Sequence, residues 1–434
     1  MFQTLRNAWK IKEIRNKILF TILIVLIFRI GSVIPVPYID VEALRTSMAA
    51  PDTNAFFSYL SILTGGGLEY GAIFAMSVTP YINSSIIVQL LCVAIPVFER
   101  WQKEGEEGQK KLAQVTRYAT VILALIQGIA FFFYLKNGGG QVSSYLSVEK
   151  GLPTVFAAFV IVLAFTAGSA LVMWLGEMVD EKGIGNGISI LLFAGILSRG
   201  PQAFGALWQY FFELKQYVAV IGIIVAFLVI IAFVVWMTAA ERRIPIQYAK
   251  RVVGNKMYGG QNTHIPIKVN MSGVMPIIFA SSILMVPTMI LGFMNTAQQA
   301  STFGKALQLF SVQGVFYAVI YFLLIIGFAY FYATIQFNPI EMANNLRKNG
   351  GAIPGIRPGQ PTSDFISKIL SRITLMGAIF LSVIAILPIV IGNVGKINIS
   401  LGGTSVLIMV GVALDIVRSL ESQMMMRHYK GFLD

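Results

Sequence analysis

YVAVIGIIVAFLVIIAFVVWMT, residues Tyr217–Thr238, runs for 22 positions without a charged side chain. A helix rises about 1.5 Å per residue, so this stretch reaches across the roughly 30 Å hydrocarbon core of a bilayer. In lipid a backbone must satisfy its own hydrogen bonds, which a helix does and an isolated strand does not. The segment reads as a membrane-spanning helix.

Working outward, nine more apolar runs stand along the chain: Ile18–Ile34, Gly71–Val97, Val115–Leu135, Val155–Leu175, Ile184–Leu197, Met271–Met294, Val315–Tyr332, Ile373–Ile391 and Thr404–Val417. The fifth span, Ile184–Leu197, is short and flanked by glycine. These continuous runs do not show the alternation over about 10 residues that a membrane β-barrel requires. The expected fold is all-α and integral to the membrane, with ten transmembrane helices.

Composition agrees. Hydrophobic residues fill 56% of 434 positions, and Asp, Glu, Lys and Arg only 12%, about half the share of a soluble domain. Cys92 is the lone cysteine, and His264 and His428 lie far apart, so neither a disulfide framework nor a histidine metal cluster is expected. A basic stretch (Arg6, Lys10, Lys12, Arg15, Lys17) precedes the first apolar run without a small-residue cleavage site, so that run reads as a span and not a cleaved signal.

The net charge of +13 is explained by topology. With the N-terminus inside, the cytoplasmic segments carry 25 Lys and Arg, counting Arg117 at the cytoplasmic edge of the third run, and the outer connections carry seven: Arg45, Lys136, Lys150, Arg199, Lys215, Lys305 and Lys396. Arg29 lies within the first span. That asymmetry predicts both termini in the cytoplasm. Ten spans also divide into halves of five, at residues 1–205 and 206–434. An odd count per half makes the two inverted relative to each other, although no residue-level repeat is visible.

Two features depart from simple spans. Asn54–Tyr70 holds an apolar patch including Phe57 and Leu60, too short to cross, then Gly65-Gly66-Gly67. These residues fit either an interfacial helix or a movable cap in a covered cavity. The second span carries Asn83, Ser85 and Gln89, and the seventh Ser281 and Ser282. Such groups commonly join helices. The amides need another helix or water opposite them.

Ionisable groups are nearly missing from the span interiors, which disfavours an ion-coupled secondary transporter of small solutes, the competing reading. There is no Walker motif, no H-E-x-x-H and no G-x-S-x-G. Gly183-Ile184-Gly185-Asn186-Gly187 is glycine-rich but lacks the strand before it and the later acidic residue of a dinucleotide site. No enzyme activity and no cofactor are expected.

Several stretches together resemble the SecY family. They are Thr79–Leu91 (TPYINSSIIVQLL), Trp174–Ser189 (WLGEMVDEKGIGNGIS), Val269–Pro276 (VNMSGVMP), Pro354–Gly359 (PGIRPG) and Gly402–Ser405 (GGTS). The likeness covers essentially the whole chain, with two departures: Ser77 where many relatives carry glycine, and Leu192 where isoleucine is frequent.

The resemblance implies a protein-conducting channel in the inner membrane, with two five-helix halves around an hourglass pore. The pore ring would be Ile82, Ile86, Ile188, Leu192, Ile278 and Ile408, positions that by themselves read as ordinary helix packing. Asn54–Tyr70, with Phe57, Leu60, Gly65, Gly66 and Gly67, would be a re-entrant plug. Helices two and three against seven and eight would form a lateral gate containing Asn83, Ser85, Gln89, Gln127, Ser281 and Ser282. Implied partners are SecE and SecG subunits, the SecA motor, the ribosome, signal sequences and membrane lipid. Ribosome and SecA docking would use Arg242, Arg243, Lys250, Arg251 and Lys256 in the loop at about 239–270, and Arg347, Lys348 and Arg357 in the loop at about 334–370. Positive-inside sorting alone would also place cations there.

Overall fold

The computed structural model describes residues 6, 8–49, 61, 64–136, 146, 152–212, 217–248, 251–253, 256–258, 262–270, 273–293, 301–310, 314–395 and 403–430. In chain order the elements are α1 (Lys12–Gly31), α2 (Val41–Ala49), α3 (Thr79–Ala94), α4 (Pro96–Lys103), α5 (Glu106–Lys136), α6 (Leu152–Lys182), α7 (Gly187–Leu197), α8 (Gly200–Phe212) and α9 (Tyr217–Ala239). After them come β1 (Glu241–Tyr248), β2 (Arg251–Val253), β3 (Lys256–Tyr258), β4 (Asn262–Lys268), α10 (Met275–Phe293), α11 (Thr302–Gln308), α12 (Val315–Gln336), α13 (Pro339–Lys348), β5 (Gly351–Ala352), α14 (Gln360–Gly395) and α15 (Gly403–Lys430). A helix stands over each of the ten apolar runs.

The boundaries differ in three places. The second run was expected to be one span from Gly71 to Val97, yet its helix begins only at Thr79, with Pro80 in its first turn. Residues before it pair instead with the chain after α1: Val36 N–H donates to the Gly71 carbonyl at 2.9 Å, and Ile73 N–H to the Ile34 carbonyl at 3.0 Å. Leu68, Ala72, Phe74, Ala75 and Met76 are all buried, so protein covers this irregular backbone. At the far end Ile95 is extended (φ −117°, ψ 120°), as the residue before a proline prefers, and α4 leaves at 101° to α3.

The fifth run gives the second difference. α7 has only 11 residues, which rise about 16 Å, half a bilayer core. Across Ser198 and Arg199 the chain continues into α8, and Gly187–Phe212 together is long and apolar enough to cross, so Gly200–Phe212, expected as a connection, is helical.

The third lies in the two long loops, which the all-α reading left without strands. β1 pairs antiparallel with β4 from Glu241↔Lys268 to Gln247↔Asn262. β5 adds to the other edge of β1 at Gln247↔Ala352 and Tyr248↔Gly351, so one sheet joins both loops. Ile244, Ile267, Ile353, Ile366, Leu370 and Ile373 form a buried core beneath it, tying the sheet to the N-terminal part of α14.

Two compact units emerge. One holds residues 1–220, 282–314 and 412–434, and the other 221–281 and 315–411. In the first, α5 packs along α3 and α6, and α7 contacts α1 and α6. Its core includes Val36, Leu44, Leu68, Phe131, Leu135, Ile161 and Phe165. In the second, α12 runs along α14, Tyr330 Oη donates to the Ser371 carbonyl at 3.1 Å, and Phe233 meets Phe380 edge to face. Many large apolar side chains point outward (Leu228 58%, Phe159 65%, Trp236 67% exposed), as a lipid-facing surface requires.

Candidate functional site

Four of the expected ring residues belong to the first unit. Ile82 and Ile86 are one turn apart on α3, as are Ile188 and Leu192 on α7, so each pair can present one aliphatic edge. Ile86, Ile188 and Leu192 are buried and Ile82 is half-buried. Ile278 on α10 and Ile408 on α15 belong to the second unit and are buried there.

The glycine-rich stretch before α7 explains how that helix is held. Gly187 N–H donates to Asp180 Oδ1 of α6 at 2.8 Å, and Asn186 caps α7 by accepting from Ser189 N–H at 2.9 Å. Gly185 has φ +71°, which glycine adopts without steric cost. Ile184 N–H donates to Thr21 Oγ1 of α1 at 3.3 Å. The motif is a joint between α1, α6 and α7. Beside it, Arg117 of α5 pairs with Glu177 of α6 at 2.7 Å.

Among the gate residues, Asn83, Ser85 and Gln89 are half-buried on α3, and Gln127 is half-buried on α5. Gln89 Nε2 lies 3.5 Å from Ser85 Oγ, while its buried Oε1 has no hydrogen-bond partner among the described residues. On α10, Ser281 is buried and donates to the Ile278 carbonyl at 2.9 Å, and Ser282 is half-buried.

Of the plug, Phe57 and Leu60 lie outside the described residues. Its glycine end is an ordered turn. Gly65 and Gly66 have φ +64° and +88°, and Gly66 N–H donates to the Ser61 carbonyl at 2.9 Å, the bond pattern that ends a helix. Arg29 Nη1 donates to the Gly65 carbonyl at 3.1 Å. Arg199 Nη2 donates to Ser61 Oγ at 2.7 Å and pairs with Glu69 Oε1, while Ser61 Oγ donates to Glu69 at 2.7 Å. In the sequence Arg199 and Arg29 stand out only in the charge asymmetry, and Glu69 not at all. No local pattern links residues 130 positions apart.

Of the docking cations, Arg242 and Arg243 are exposed on β1, Arg243 beside Glu241 at 2.7 Å. Arg347 and Lys348 are exposed in the last turn of α13, where cations suit the helix dipole. Arg357 is exposed, and its carbonyl accepts from Thr362 Oγ1 at 2.8 Å. Lys250 lies outside the described residues, and Arg251 and Lys256 are described only as backbone of β2 and β3. Among the described residues no three His, Cys, Asp or Glu side chains gather as metal ligands.

Apolar outer faces and uncharged aliphatic pairs on short, tightly fixed helices define a polytopic helical membrane protein. The SecY family pattern matches residues 72–417. Over its whole length the chain is 43% identical to the protein translocase subunit SecY of Mycobacterium tuberculosis, and the alignment covers all of that relative. It is 41% identical to the same subunit of Thermotoga maritima, covering all of this chain and 98% of the relative.

Among solved structures, one described as "The structure of a protein conducting channel" aligns with TM-score 0.63 at 18% identity, over 94% of this chain and 92% of that one. A second, concerning a SecY plug domain that maintains a membrane seal, aligns at 0.60 and 18% over the same shares. Sec61 in a canine ribosome-channel complex aligns at 0.59 and 16%, again over 94% and 92%. The chain belongs to the SecY family. It is a protein-conducting channel subunit and not a catalyst, and the transporter reading gains no support.

Proposed function

We propose that this chain forms the pore through which unfolded preproteins cross the inner membrane, and the gate through which hydrophobic helices pass into lipid. The observation that carries the reading is identity of 43% from end to end with protein translocase subunits.

In this reading the halves 1–205 and 206–434 enclose a waist made by Ile82, Ile86, Ile188, Leu192, Ile278 and Ile408. An aliphatic ring disfavours water in a narrow gap and so holds back ions by dewetting. It also grips an extended chain of any sequence, because it offers shape without directional hydrogen bonds. Charge in that ring would bind some segments too tightly and admit ions. Residues 54–70 act as the plug, in keeping with the sealing role given for the solved SecY plug domain.

The lateral gate lies at Asn83, Ser85, Gln89, Gln127, Ser281 and Ser282. Gln89 is suited to a seam that exchanges partners, since its buried oxygen holds none fixed among the described residues. A passing segment then partitions by hydrophobicity, each apolar residue favouring lipid by roughly 0.3–0.6 kcal/mol and a central charge opposing by roughly 3. With both termini cytoplasmic, the β1–β4–β5 sheet faces the cytoplasm. There its arginines meet ribosomal RNA or the SecA motor, while SecE and SecG complete the channel.

The test is reconstitution with SecE and SecG in vesicles, adding SecA, ATP and a signal-bearing preprotein. Protease-protected preprotein is expected inside. Uptake of a small solute on an ion gradient, with no preprotein protected, would overturn the proposal.

A further inference from the structure

The plug's glycine end is fastened to the end of α7. Arg199, two residues past α7, reaches Ser61 before the glycine turn and Glu69 after it, so one guanidinium bridges both arms. Ser198, next to it, lies 3.3 Å from the Gly65 carbonyl, and Arg29 holds the same carbonyl from α1. The Arg199 and Glu69 side chains are only 14% and 22% exposed, so the pair is not the freely solvated kind whose net effect is negligible.

α7 is a single rigid piece of 11 residues. It bears Ile188 and Leu192, and the chain leaves it directly into Ser198 and Arg199. A force that moves the aliphatic pair therefore moves the guanidinium. Separating half-buried partners leaves each charge less compensated, so the closed contact resists release.

We infer that Arg199 and Glu69 are positioning residues that latch the plug shut and couple its release to displacement of α7. This rests on the plug reading proposed above. A chain wedging into the waist pushes α7, Arg199 leaves Glu69 and Ser61, and the turn at Gly65–Gly67 is freed. At rest the latch biases the closed population without touching the translocating polypeptide.

The experiment measures resting ion conductance of the complex with SecE and SecG in planar bilayers. The variants are Arg199→Gln, Glu69→Gln, the swap Arg199→Glu with Glu69→Arg, the conservative Arg199→Lys, and a deletion of residues 54–64. Each single neutralisation should raise conductance about tenfold or more, as expected for loss of a charge-assisted hydrogen bond that favours one state. The swap and Arg199→Lys should return most of the seal. Leak in both single variants without recovery in either rescue would assign the effect to poorer packing and overturn the latch. Leak in the deletion alone would overturn the latch and leave the plug reading standing. No leak in the deletion would remove the plug reading, and the latch with it.

Discussion

Gly187 of α7 rests against the backbone of α6: a Cβ on Gly187 would lie 2.0 Å from the Gly176 carbonyl oxygen. No side chain fits there, so position 187 requires glycine. The reverse contact is softer, since a Cβ on Gly176 would press on the Ile188 side chain, Cδ1 at 2.4 Å and Cγ1 at 3.3 Å, with backbone no nearer than 3.7 Å. Gly187→Ala should therefore force α7 from α6 and destabilise the complex by about 1–3 kcal/mol, the range for overpacking a tight contact. Gly176→Ala should cost less, yet reorient Ile188 and change resting conductance. Thermal unfolding and bilayer recordings of both variants check this. Equal stability loss with unchanged conductance in Gly176→Ala would count against it.

Ser77 gives an opposite prediction. It is buried with φ +48°, and its hydroxyl has no hydrogen-bond partner among the described residues. Left-handed backbone at a non-glycine residue and an unpaired buried hydroxyl each cost on the order of 1 kcal/mol. Ser77→Gly should raise stability by about 0.5–1 kcal/mol after glycine's greater unfolded freedom is counted. A lower melting temperature for this variant would show that the backbone strain is not there.

The three glycines at 65–67 should not behave alike. A Cβ on Gly65 would sit 2.4 Å from Ser198 Oγ and 2.6 Å from the Gly195 carbonyl, at φ +64°. Gly66 has open space but φ +88°, and Gly67 has ordinary contacts no closer than 3.4 Å. Alanine should cost most at 65, roughly 1 kcal/mol at 66 from conformation alone, and almost nothing at 67. Melting temperatures of the three variants test the order.

The sequence announced ten helices because continuous apolar length is a one-dimensional property, and each run does carry a helix. It did not announce where the second begins, since Gly71–Val78 is as apolar as a span but is paired as irregular backbone with Ile34–Val36. The strands had a readable signal in Arg243-Ile244-Pro245-Ile246 and His264-Ile265-Pro266-Ile267, whose isoleucines alternate with period two. Reading both loops only as cation carriers hid it. β5 has two residues and no such signal, so its joining of the loops needed three dimensions. The pore-ring assignment of Ile82, Ile86, Ile188 and Leu192 rests on family motifs, because every helix face shares their apolarity.

That joined sheet bears on docking. Arg242 and Arg243 on β1 and Arg357 beyond β5 are carried by one core. Replacing Arg243 and Arg357 with glutamine should weaken binding to ribosomes, with a log–log salt slope smaller by about 0.7–0.9 for each phosphate that is no longer neutralised. Sedimentation across a salt series measures it, and an unchanged slope would mean that these cations serve topology alone.

The central claim is that a polypeptide crosses at the aliphatic waist. Cys92 is replaced by serine, and single cysteines are placed at Ile86, Ile188, Ile278 and Ile408, with Leu228, 58% exposed on α9, as the outer control. A preprotein with one cysteine is stalled in transit and oxidised. The account predicts disulfide adducts at all four waist positions and none at Leu228. Adducts absent from the waist while the preprotein is stalled across the membrane would contradict it.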